Sequence, residues 1–358
     1  MIYLHVPFCK SFCTYCDFYS EIPEKGMFDL YTDQVCKEIR VRAKEMDNSL
    51  RTRYLGGGTP SLLPLANLTQ ILLTLEECGH GGPYEEFTLE ANPEDIVEKG
   101  LPYLQSLKML GVNRMSMGVQ SFNDELLHWM NRRHNSEGAL EAFRLVREAG
   151  FDNVSIDLIF GLSNLSDQVW EETINKAIEL DPEHISCYQL TVEGDNVLAH
   201  RLESGEYEEA SDQVCRRQYD ILCAKMAAAG YNHYEISNFA KPGFEAVHNG
   251  GYWQRHPYVG LGPAAHSFSG RSRNWNDSVL DGYKNTKEAL TVEDEKVETL
   301  MLALRTARGI DGEFLFANCQ KEDINRLMKE GALVKVGRRY RIPEDHFFVS
   351  DQIIRELI

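Results

Sequence analysis

No stretch of about 18 apolar residues occurs in this 358-residue chain, so no membrane-spanning helix is expected. The apolar opening at residues 2–6 is too short for the core of a signal peptide, and a cytoplasmic location is the expectation. Basic residues are scarce, 37 against 55 acidic ones, for a formal charge of −18. Nucleic acid is therefore not an expected partner, because a phosphate backbone demands a dense field of Lys and Arg. Low-complexity segments are missing too, and 43% hydrophobic with 26% charged residues is the composition of an ordered globular chain. Nor is there a paired cysteine framework. Nine cysteines is an odd number, and a reducing compartment favours metal ligation or free thiols over disulfides.

Six of the nine, Cys36, Cys78, Cys187, Cys215, Cys223 and Cys319, are scattered and read as small buried hydrophobes. The other three, Cys9, Cys13 and Cys16, fall in HVPFCKSFCTYCDF with the spacing C-x3-C-x2-C, directly after the first apolar run. Three potential thiolates in one eight-residue loop point to one metal centre. Zinc lacking its fourth ligand is one reading, and an iron–sulfur cluster held through three of its four irons is the other. A zinc knuckle normally adds a second C-x-x-C or a His pair, and neither follows here, so the cluster is preferred. It leaves one iron open to a substrate or cofactor.

Around this loop, short β-rich runs at residues 2–6, 52–55, 86–89, 114–119, 153–159 and 184–189 alternate with helical periodicity at about 27–46, 66–78, 100–110, 136–149 and 167–179. Repeated strand and helix imply a parallel sheet with right-handed crossovers. Cys9, Gly56, Glu90, Gln120, Asp157 and Gln189 all stand at strand ends, a distribution that favours a barrel rim over the single switch point of a doubly wound sheet. The expected fold is α/β, a partial (β/α)6 TIM-like barrel over residues 1–190. Residues 191–290 are expected to complete the barrel, and 291–358 to form a smaller, mainly helical, winged-helix-like domain. Its one basic cluster is Arg338, Arg339 and Arg341.

Other motifs lie on the same strand ends. The GGGTPS segment from Gly56 to Ser61 lets backbone approach a ligand without side-chain obstruction, and it lacks the Lys-Ser/Thr pair of a phosphate loop. Asp157 inside SIDLIF is costly unless bound to a ligand or paired, for instance with Arg132 across the barrel mouth. In HNGGYW, His248 beside Tyr252 and Trp253 offers an imidazole to iron and flat apolar surface to a macrocycle. The alternative there is a loop whose rings cap the barrel and whose His is hydrogen-bonded; His256 and His266 are nearby competitors.

C-x3-C-x2-C after a first barrel strand resembles the radical S-adenosylmethionine (SAM) superfamily, and GGGTP resembles that family's segment for the cofactor's amino group. The resemblance implies a 4Fe–4S cluster on Cys9, Cys13 and Cys16. By motif position in the porphyrin-related branch, it implies SAM contacts from Tyr3, Tyr15, Gly57, Gly58, Thr59, Glu90, Gln120, Arg132 and Asp157. It narrows to the oxygen-independent coproporphyrinogen oxidases and the heme chaperones related to them. The oxidase motif carries a further cysteine where this chain has Phe18, and the oxidases carry an extension before the first strand. HNxxYW resembles the chaperones' heme motif, with His248, Asn249, Tyr252 and Trp253 as its residues here. The function so implied is to bind heme and deliver it to acceptor proteins, with a homodimer and peripheral membrane contact also suggested. Decarboxylation of coproporphyrinogen III and radical modification or degradation of a tetrapyrrole are the alternatives.

Overall fold

The structure, a computed structural model, describes residues 1–46 and 51–358. The apolar runs form strands β1 (Ile2–Val6), β2 (Thr52–Gly57), β3 (Glu86–Ala91), β4 (Arg114–Gln120), β5 (Val154–Phe160) and β6 (His184–Gln189), each pairing in parallel with the next. Helices α1 (Met27–Arg42), α2 (Leu65–Glu77), α3 (Pro93–Met109), α4 (Asp124–Trp129), α5 (Ser136–Glu148) and α6 (Asp167–Glu179) fill the crossovers. A strand order that follows the sequence without reversal is that of a barrel wall; a doubly wound sheet would reverse at a switch point. Side-chain oxygens of Asn123, Asn135 and Ser166 accept backbone N–H bonds at the starts of α4, α5 and α6, so three helix starts are written locally. Helix α3 begins earlier than the periodicity suggests. Gly100, at φ 65°, interrupts it and Pro102 restarts it, which adds a turn that carries buried Asp95.

Residues 191–290 add strands at both edges of this wall. They form α7 (Val197–Glu203), α8 (Asp212–Ala228), β7 (Asn232–Glu235), β8 (Asn238–Ala240), α9 (Val247–Trp253) and β9 (Val259–Leu261). A further antiparallel sheet follows, made of β10 (His266–Phe268), β11 (Ser272–Asn276) and β12 (Asn285–Ala289). The short link between β7 and β8 enforces a hairpin, and β8 joins β6 antiparallel, while β9 joins β1 in parallel at the other edge. Among the described residues the sheet has nine strands in the order β7-β8-β6-β5-β4-β3-β2-β1-β9, open between β7 and β9.

The C-terminal part contains α10 (Val292–Leu304), β13 (Ile310–Asp311), α11 (Gly312–Asn318), α12 (Lys321–Glu330), β14 (Val334–Val336), β15 (Arg339–Arg341) and α13 (Ser350–Arg355), with β13, β15 and β14 in one small antiparallel sheet. Two of its clustered arginines act as internal fasteners. Arg339 Nε donates to the Arg308 carbonyl at 3.0 Å, and Arg341 Nη1 donates to the Ala307 carbonyl at 3.2 Å and to Glu344 at 2.6 Å. No helix among the described residues is long and apolar enough to cross a membrane.

Candidate cluster and cofactor site

The cysteine loop leaves β1 at Val6 and is pinned by Phe8, which is fully buried edge-on against Phe28 and Tyr31. Its far end returns to the start: Cys9 N donates to the Glu21 carbonyl at 3.0 Å and Glu21 N to the Pro7 carbonyl at 2.6 Å. Cys9, Cys13 and Cys16 are half-buried free thiols lining one cavity of about 1040 Å³ at the C-terminal ends of the strands. Thr59 Oγ1 lies 3.4 Å from Cys9 Sγ, and Arg132 Nη1 donates to Cys13 Sγ at 3.3 Å. Burial pushes the Cys9 thiol up and the Cys16 thiol up to about 12, so their thiolate forms require a compensating positive charge such as iron. Among the described residues no three His, Cys, Asp or Glu side chains are grouped closely enough for one metal ion. A cluster asks for no such convergence, because its thiolates can each take a different iron.

The glycine segment lines the same cavity as these sulfurs. A Cβ on Gly57, whose φ is +107°, would lie 2.6 Å from the His5 ring, and one on Gly58 would lie 2.8 Å from the Phe8 carbonyl oxygen. Gly58 N donates to the Val6 carbonyl at 2.9 Å and Thr59 N to that of Phe8 at 2.7 Å, so the segment is bonded directly to the base of the cysteine loop. Opposite, Glu90 accepts from the Tyr54 hydroxyl at 2.6 Å, and Ser116 donates to Asp157 at 3.3 Å. Arg132 Nη2 donates to Asn92 Oδ1 and to the Gly118 carbonyl, both at 2.7 Å. Gln120 stands at a bulge in β4 with φ 68°, a left-handed conformation that a non-glycine residue adopts at a cost of order 1–3 kcal/mol, as ligand-facing residues often do.

The description that matches residues 3–177 is that of the Radical SAM superfamily. Over 322 residues the chain is 36% identical to the heme chaperone HemW of Bacillus subtilis, covering 86% of this chain and 84% of that one. It is 31% identical to HemW of Mycobacterium tuberculosis (strain CDC 1551 / Oshkosh), covering 100% and 94%. The chain belongs to the HemW family of radical SAM proteins. Among solved structures, coproporphyrinogen III oxidase (HemN) from Escherichia coli superposes with a TM-score of 0.82 over 99% of this chain and 89% of that one, at 23% identity, which shows the shared fold.

Within this HemW-family fold the cavity wall brings together Cys9, Cys13, Cys16, Tyr15, Gly57, Gly58, Thr59, Glu90, Gln120, Arg132, Asp157 and Asn249. Tyr3 stands behind the wall, stacked on Tyr54 at 6.1 Å with its hydroxyl 3.2 Å from His5 Nδ1. His248, Tyr252 and Trp253 lie outside the lining. The His248 ring is fully buried, with Nδ1 2.8 Å from Thr52 Oγ1 and Nε2 2.8 Å from the Tyr252 hydroxyl, and burial lowers its pKa to about 3. Both ring nitrogens are thus engaged, and the imidazole packs beside Tyr54, 5.2 Å away between ring centres. Nor do His256 and His266 line the cavity. Asp157 has no ion pair with Arg132 among the described residues; hydroxyls and the field of Arg114 hold it instead. Arg114, Ser116, Asn92 and Ser186 are lining residues that the sequence reading missed. For Ser116 a signal existed, since it stands between Met115 and Met117 in the alternation of β4.

The residues present fit the group that the family implies: three thiols on one loop, a side-chain-free glycine edge and two buried carboxyls in one cavity. Burial raises Glu90 to about 7, opposed by the Tyr54 hydroxyl, assisted by Asp157 and lowered by the Gly57 N–H and Arg114. Asp157 is raised to about 6 by burial against the Ser186, Ser116 and Ser155 hydroxyls and Arg114. Folded carboxyls that hold protons more tightly than unfolded ones make the ligand-free chain less stable as pH climbs from about 4.5 to about 7. In the folded chain they become anionic as pH passes through about 6 and 7, so affinity for the positively charged SAM is expected to rise several-fold between about pH 5.5 and 8. Calorimetric titration of the reconstituted protein across that range checks this, and affinity that is flat or falls with pH would refute it.

Proposed function

We propose that this chain is a heme chaperone, which takes up heme and passes it to acceptor proteins while holding a 4Fe–4S cluster and SAM. The carrying observation is that the Bacillus subtilis and Mycobacterium tuberculosis relatives named heme chaperone HemW match along 84% and 94% of their own length at 36% and 31% identity. Cys9, Cys13 and Cys16 would hold the cluster, and Glu90, Gln120, Arg132, Asp157 and the Gly57–Gly58 backbone would face SAM. When bound, the cluster in its reduced form would supply the electron for reductive cleavage of a SAM carbon–sulfur bond. The chain's own part is to orient both groups: Arg132 ties the Cys13 sulfur to Asn92, and Tyr54 fixes the Glu90 carboxyl. Phe18, which is 65% exposed at the cavity, supports heme handling over the oxidase reading, because a ring stands where the oxidase motif has a cysteine.

Anaerobic reconstitution followed by parallel assays tests this reading. The expected result is a stable Soret band on adding heme and no protoporphyrinogen from coproporphyrinogen III with reductant and SAM. Absence of heme uptake, or steady porphyrinogen decarboxylation, would overturn it.

A further inference from the structure

Four exposed aromatic side chains stand out among the described residues: Phe12, Phe18, Tyr188 and Phe316. Three of them, Phe12, Phe18 and Tyr188, line the same cavity as the cysteines, and exposed Val197 lines it too. Water contact at 44–65% relative exposure is costly for large rings, and their concentration in one cavity, Phe12 and Phe18 on the cysteine loop and Tyr188 deeper beside Ser186 and Asp157, marks a surface built to be covered. An imidazole stands in the same lining. His200 on α7 is 67% exposed; its Nε2 lies 2.9 Å from Asp195, while its Nδ1 is 3.8 Å from Glu203, too far for a hydrogen bond. A carboxylate on one ring nitrogen orients and strengthens the other as a metal ligand.

The two sides of this opening are bonded into one unit. Leu198 N donates to the Thr14 carbonyl at 2.8 Å, and Asn196 Nδ2 donates to the Tyr15 carbonyl at 3.3 Å, so the start of α7 is fastened to the cysteine loop. Arg133 lines the cavity as well, with ion pairs to Glu94 and Asp95 that are 3.5 Å long and leave its guanidinium available to an anion. At about 1040 Å³ the cavity stands at the top of the roughly 300–1000 Å³ range of ligand pockets.

We propose that heme docks at this mouth, its macrocycle against Phe12, Phe18, Tyr188 and Val197 and its iron ligated by His200. The assignment rests on the heme-chaperone reading above and locates its cargo. Flat rings suit the macrocycle faces, an exposed imidazole suits the iron, and Arg133 suits a propionate. The position also meets what delivery requires, because a cargo held at an open rim leaves without unfolding the barrel. The buried His248, engaged at both nitrogens, would have to break two hydrogen bonds first.

Heme titration of the cluster-reconstituted full chain, read by Soret position and by ferric electron paramagnetic resonance, tests the site. H200A is expected to shift the Soret band and weaken affinity about tenfold, and the double variant F18S/Y188S to weaken it by a similar factor. H248Q, which keeps a polar partner for Thr52 and Tyr252, is expected to keep the wild-type spectrum. Iron content and circular dichroism establish that each variant is folded, and the substituted rim side chains are exposed enough to permit it. Heme uptake by wild type with an unchanged H200A spectrum would overturn this assignment alone, as would loss of the spectrum in H248Q. No uptake by wild type would overturn the chaperone reading together with it.

Discussion

An Arg114→Met chain is expected to lose about 3–5 kcal/mol of stability in chemical denaturation, the cost of leaving buried carboxylates without their cation. Arg114 is almost wholly buried inside the barrel, and it keeps its charge because the Glu86 and Asp157 carboxylates offset the desolvation that opposes it. Its removal reaches two places. Glu86 accepts the Val247 and His248 backbone N–H groups at 2.7 and 3.1 Å, and so seats the helix of the HNxxYW motif. Glu90 and Asp157 both lose the guanidinium that lowers them, and each would hold its proton to a higher pH. The rise in SAM affinity with pH should therefore move to higher pH in this variant. Adding Glu86→Gln, which removes a charge and keeps an acceptor, should recover part of the lost stability. A loss under about 1 kcal/mol with an unmoved pH profile would show that Arg114 is a spectator.

Arg114 also shows where the sequence stops being legible. The six core strands could be read because their apolar runs are local, and Gly57, Glu90 and Gln120 because they stand at the C-terminal ends of strands that parallel neighbours bring together, with Cys9 just beyond β1 and Asp157 midway along β5 facing the same space. An arginine that opens β4 reads as a surface residue, since buried guanidinium is rare. Its burial depends on carboxylates from β3 and β5 that no local pattern reveals. The same reason hid the edges of the sheet. Strands β8 and β9 are three residues long, too short for periodicity, and take their places beside β6 and β1 through backbone pairing that no local pattern shows. His248 illustrates a third limit: HNxxYW shows an imidazole and two rings, but whether they face a ligand or one another depends on Thr52, nearly two hundred residues earlier.

Gly58→Ala should uncouple the cofactor edge from the cysteine loop, which is the largest functional effect expected of a single added methyl. The new Cβ would sit 2.8 Å from the Phe8 carbonyl oxygen, 2.9 Å from Phe8 N and 2.9 Å from the Val6 carbonyl oxygen. All three are backbone atoms, so no rotamer change relieves the contact, whereas at Gly57 the obstacle is the His5 side chain. Relief requires the segment to move off β1, which breaks the bonds from Gly58 N to Val6 and from Thr59 N to Phe8. Overpacking of this kind costs about 1–3 kcal/mol. Phe8 precedes Cys9, and Thr59 lies beside the Cys9 sulfur, so the same movement displaces one of the three thiols. The variant is expected to fold with reduced stability and to retain only a minor fraction of the iron and sulfide that wild type keeps after anaerobic reconstitution. Wild-type iron content alongside a measurable stability loss would show that the glycine edge and the cysteine loop are independent, and that SAM alone, rather than the cluster, depends on this approach.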